Sequence, residues 1–109
     1  SNGYQLRDFI HVNDVVDAIL KTLTSKHSRG QIINIGSGKP RKVKNIINNI
    51  KKVLKGGHPQ FGKIKLRKDE ILKIYPNINK AKRKINWKPK ISFEKGIKLT
   101  IKFYNEQAI

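Results

Sequence analysis

The chain has 109 residues, 25 Lys and Arg against 7 Asp and Glu, a net charge of +18 at neutral pH, and no cysteine. That length suits one modest domain burying roughly 60–70% of its unfolded surface, and the lack of cysteine excludes disulfides and thiolate metal sites. No apolar run nears the roughly 20 residues of a membrane-spanning helix, the first residues do not read as a secretory leader, and His11, His27 and His58 are scattered without metal-ligand spacing. A cytoplasmic setting is the resulting expectation.

Arg7 to Val12 reads as a short strand, with Arg7, Phe9 and His11 on one face and Asp8, Ile10 and Val12 on the other. Asn13 or Asp14 then caps a helix whose buried side carries Val15, Val16, Ile19, Leu20 and Leu23. Ser28-Arg29-Gly30 breaks it. Gln31 to Ile35 follows as a β-rich strand that runs into Gly36-Ser37-Gly38.

Beyond Pro40, the apolar residues Val43, Ile46, Ile47, Ile50, Val53 and Leu54 recur at helical spacing. Gly56-Gly57 ends that helix, and Gly56 to Gly62 reads as a mobile loop. Ile64 to Arg67 is a short strand with Ile64 and Leu66 facing one way. Asn79 caps a short helix through Ile85, Pro89 fixes a turn, and Ser92 caps a last helix using Phe93, Ile97, Ile101 and Tyr104. The expected order is β-α-β-α-β-α-α, an α/β class.

The charge has two readings. Clustered cations bind polyanions by releasing counterions from phosphates, which suits a free-standing basic module for nucleic acid or another polyanion. Compositional bias explains it more simply. Lys, Ile and Asn number 20, 17 and 10, together 47 of 109 residues, and all three have AT-rich codons. Lysine outnumbers arginine 20 to 5, although arginine is the better bidentate ligand for phosphate.

Gly36-Ser37-Gly38-Lys39 is not a phosphate loop, because four residues should separate the first glycine from Gly-Lys, and Pro40 stands where Ser or Thr belongs. It is not a dinucleotide fingerprint either, since Arg41 occupies the third glycine position. A strand-to-helix turn is the plain reading. Asp14 and Asp17 read as N-terminal charges complementing a helix dipole. His11 reads as a hydrogen-bonded structural histidine and Trp87 as a core residue with its indole N–H satisfied. Arg7 and Arg67 are the more pointed candidates. Both lie opposite the aliphatic side of a short strand, in a chain otherwise poor in arginine, and a fork-shaped donor suits a pyrophosphate.

Arg7-Asp8-Phe9-Ile10-His11-Val12-Asn13-Asp14, the run Ile33 to Pro40, Asn77 to Trp87, and Pro89 to Gly96 come in an order that resembles the NAD(P)-dependent sugar-nucleotide epimerase/dehydratase family, extended short-chain dehydrogenases/reductases. The resemblance implies that residues 1–109 are a small C-terminal substrate-binding subdomain, a single incomplete domain whose Rossmann half is missing. It implies a nucleotide-sugar substrate, with Arg7 and Arg67 on the pyrophosphate, Phe9 as the neighbouring aromatic, and Glu70 accepting from the ribose hydroxyls. NAD or NADP would be held by the absent half. The family's Tyr-x-x-x-Lys pair has no counterpart, because Asp8, Asn79 and Ala108 follow Tyr4, Tyr75 and Tyr104 at that spacing. The chain by itself is therefore expected to be catalytically silent and truncated. Without its neighbour it should expose part of an apolar interface, which makes homo-oligomers an expectation.

Overall fold

The computed structural model describes residues 1–107, whose contacts gather into two units, Ser1–Asp8 with Lys39–Tyr75 and Phe9–Gly38 with the described residues from Pro76 onward. The first unit is organised by pairing of its amino-terminal segment. Strand β1 (Leu6–Arg7) runs antiparallel to β2 (Arg41–Lys42), with Leu6 opposite Lys42 and Arg7 opposite Arg41. On its other side Leu6 donates to Leu72 O at 2.8 Å and its carbonyl accepts from Ile74 N at 3.2 Å. An isolated parallel bridge forms there between Leu6 and Lys73.

Helix α2 (Val43–Leu54) follows β2 directly, and Ile46 is its buried residue. Lys42 caps it without a side-chain hydrogen bond. The amide of Lys44 instead donates to Gly3 O at 2.7 Å. Gly3 has φ +76°, and a Cβ there would lie 2.9 Å from Lys44 N, so both conformation and space demand glycine. The helix ends at Lys55, which takes the left-handed conformation at φ 55°. The two glycines of the expected breaker lie just beyond it.

The second unit has the larger core. Helix α1 (Val12–Thr24) packs on α3 (Asn79–Ile85), and Ala18, Ile78, Ala81, Ile85 and Trp87 are buried together, with Ile10, Ile33 and Ile35 against them. Trp87 is fully buried, and its indole Nε1 donates to the Asp14 carbonyl at 3.0 Å. The Asp14 carboxylate, 2% exposed, accepts from the amides of Lys90 and Ile91 at 3.1 and 3.0 Å. Helix α4 (Phe93–Gln107) starts where Ser92 Oγ accepts from Lys95 N at 3.2 Å, as its sequence predicts.

Several expected features differ. Helix α1 starts at Val12, with His11 as N-cap and its Nδ1 accepting from Asn13 N at 3.1 Å. The expected strand thus contracts to Leu6–Arg7. Asn79 opens α3 one residue after its cap, and Asn77 Oδ1 accepts from its amide at 2.9 Å. Gln31 to Ile35 and Ile64 to Arg67 have no assigned strand. A strand requires ladder hydrogen bonds, and β propensity alone does not supply a partner. The order among the described residues is therefore β-α-β-α-α-α.

The expected buried stripe of α1 is also displaced. Val16, Ile19, Leu20 and Leu23 are exposed, and Asp14 and Ala18 are the buried residues. Among the described residues no helix is long and apolar enough to cross a membrane.

Candidate functional site

In the first unit Arg7, Arg67 and Glu70 meet around one carboxylate. The backbone arranges this before the charges act. Pairing of Leu6 with residues 72 to 74 lays that segment alongside β1. A turn closed by Glu70 N donating to Arg67 O at 3.2 Å then presents both side chains together.

Arg7 Nη2 donates to Glu70 Oε1, while Arg67 donates to Oε2 from Nε at 3.2 Å and from Nη2 at 3.1 Å. Arg7 Nη1 also donates to Leu6 O at 2.9 Å, which fixes the plane of its guanidinium. The Glu70 side chain is 14% exposed and that of Arg7 25%, whereas Arg67 is 77% exposed. The Arg7 contact therefore lies in the less screened environment, and the Arg67 contact is of the weaker, solvated kind.

These three charges sum to +1. Guanidiniums have five N–H donors in a rigid fork suited to phosphate oxygens, and a carboxylate only accepts. The arrangement can hold and orient an anion.

Of the four residues expected at the site, the structure brings together Arg7, Arg67 and Glu70. Phe9 falls in the second unit and is 37% exposed. The family resemblance implies ribose recognition for Glu70 and gives no account of its contact with both arginines. One signal for half of that contact is present, since an acidic residue three positions after an arginine can close back on it in a turn.

A second feature of the first unit is also absent from the sequence expectations. Lys44 Nζ lies 5.2 Å from the ring centroids of both Tyr4 and Phe61, and Lys42 Nζ lies 5.8 Å from that of Tyr4. These are cation–π contacts of a surface kind. His11 has the structural role its sequence suggests, and Trp87 the core role. Asp14, beyond any partnership with the helix dipole, staples the turn before α4. Among the described residues no group of three or more His, Asp or Glu is placed to hold a metal.

The comparisons with known proteins show the family. The family model for GDP-mannose 4,6 dehydratase matches residues 1–100. The chain belongs to this family. It is 31% identical over 106 residues to UDP-glucuronate 4-epimerase of Thermodesulfobacterium geofontis, covering 96% of this chain and 32% of that protein. The UDP-glucose 4-epimerase of Thermotoga maritima, solved with UDP-glucose, superposes with a TM-score of 0.82 at 28% identity, over all of this chain and 34% of that one. The dTDP-glucose 4,6-dehydratase of Bacillus anthracis, solved with NAD, gives a TM-score of 0.79 at 27% identity, over 99% of this chain and 34% of the other. The chain thus spans about a third of the length of the relatives it matches.

Proposed function

We propose that this chain is the nucleotide-sugar-binding portion of an NAD(P)-dependent sugar-nucleotide epimerase, dehydratase or reductase of the cytoplasm. The observation that carries the reading is the convergence of Arg7 and Arg67 on Glu70. Two fixed guanidiniums suit the two phosphates of a nucleoside-diphosphate sugar, and carboxylate lone pairs suit ribose hydroxyls. These groups anchor and orient the substrate, so that binding energy remote from the reacting carbon places the sugar for reaction.

When bound, the nicotinamide cofactor supplies hydride exchange with the sugar ring. This chain's residues do not fit that cofactor. The Gly36-Ser37-Gly38 turn leads through Lys39 and Pro40 into β2, and a helix does not open directly behind its glycines. In this reading the cofactor and the proton-transferring tyrosine belong to the other two thirds of a parent polypeptide. The apolar residues on α1 and Ile32, 86% exposed within a run of β-forming residues, support such a neighbour.

The reading is tested by titrating the isotopically labelled chain with UDP-glucose. Amide shifts should gather at Leu6–Asp8 and Arg67–Glu70, and NAD with UDP-glucose should give no turnover. Shifts spread over α2 instead, or turnover above background, would refute it.

A further inference from the structure

We infer that Glu70 is a positioning residue that couples Arg7 and Arg67 into one preformed diphosphate receptor, a task distinct from any contact it makes with a ribose. The inference rests on the nucleotide-sugar reading above. Its basis is that the two oxygens are divided between the arginines: Oε1 accepts from Arg7 Nη2, and Oε2 accepts from Arg67 Nε and Nη2.

Without a carboxylate between them, two guanidiniums in one small region repel. Arg41 lies directly across the ladder from Arg7. Glu70 offsets that repulsion, less screened in its contact with Arg7 than in its contact with Arg67. Arg7 is also tied to Leu6 O. Arg67 is 77% exposed, and its hydrogen bonds to Glu70 limit its rotamers. Arg67 is consequently the arginine whose placement depends most on the carboxylate.

A receptor held in this way should lose its function as a unit. A single carboxamide cannot replace the clamp, because the side chain introduced by Glu70→Gln presents one accepting oxygen and one donating NH2. One guanidinium could still be held, and the other would face a donor.

The test measures inorganic pyrophosphate affinity by NMR titration of the 109-residue chain. Arg7→Ala, Arg67→Ala and the double variant are made with Glu70 and again with Glu70→Gln, and unchanged amide spectra away from the site report folding. With Glu70, each single change should weaken pyrophosphate binding by roughly tenfold or more, the scale of a charged hydrogen bond. The double variant should be little worse than the weaker-binding single one. In the Glu70→Gln background the two effects should shrink and multiply independently, and the Arg67 Nε–H signal should broaden through solvent exchange.

If both arginines matter but their effects multiply equally in the two backgrounds, the clamp is wrong and the binding site stands. If neither arginine matters, the binding reading fails and takes the clamp with it. Should Glu70→Gln unfold the chain, the wild-type background still decides: independent, multiplicative losses there overturn the coupling.

Discussion

Each of the two units is held internally by a different kind of interaction. The second unit buries Trp87 fully, surrounds it with Ala18, Ile78, Ala81 and Ile85, and satisfies the carboxylate of Asp14 with two backbone amides. The first unit has Ile46 as its buried hydrophobic residue and is tied together by ladder bonds, a glycine contact and the Arg7–Glu70–Arg67 cluster. Apolar burial and satisfied buried polar groups make a scaffold. Partly exposed charges beside a short strand suit the proposed receptor, which must keep donors accessible to a ligand.

The contrast is most sharply broken at Trp87. Trp87→Ala should destabilise the chain by about 3–5 kcal/mol, through lost burial and the resulting cavity, as read by chemical denaturation. Asp14→Ala should follow at about 1–3 kcal/mol, because two partly buried amide donors lose their acceptor. Asp14→Asn should cost less, since it keeps one accepting oxygen. Ile46→Ala should cost about 2–3 kcal/mol, the loss reported by amide hydrogen exchange in α2. If Ile46→Ala proves as damaging as Trp87→Ala, the difference between the units is smaller than their burial suggests.

The smallest expected effect lies on the exposed side of α1. Leu23, 77% exposed, should accept lysine within about 0.5 kcal/mol in the isolated chain. If instead Leu23→Lys splits a dimer in sedimentation, that surface is covered by a second copy, and its proposed cover by a parent polypeptide needs revision.

Much of the fold is legible where local chemistry is sufficient. Helix α2 follows its apolar spacing from Val43 onward, α4 begins after Ser92, and Trp87 with a satisfied indole N–H lies in the core. The failures share a physical cause. Gln31 to Ile35 and Ile64 to Arg67 have strand-forming residues, but strandhood depends on a partner that composition cannot name. The apolar stripe of α1 misleads in the same way, because periodicity reports a face and says nothing of what covers it.

The candidate site is legible in its arginines and not in its connectivity. Arg7 and Arg67 stand out by their scarcity in a lysine-rich chain. That Glu70 takes hydrogen bonds from both depends on Leu6 drawing residues 72 to 74 alongside it, a long-range pairing invisible to spacing. The stapling role of Asp14 is hidden for the same reason, since its partners at Lys90 and Ile91 are distant in sequence.

The central claim is that Arg7 and Arg67, and not the overall charge of +18, bind a nucleotide sugar. The most direct measurement compares UDP-glucose affinity at fixed ionic strength in the wild-type chain, in Arg7→Ala/Arg67→Ala, and in a control carrying Lys51→Ala, Lys52→Ala and Lys55→Ala on and just after α2. The account predicts roughly a tenfold loss or more for the arginine pair and less than about a twofold change for the lysine control. Equal losses in the two variants would contradict it and return the chain to a general polyanion surface.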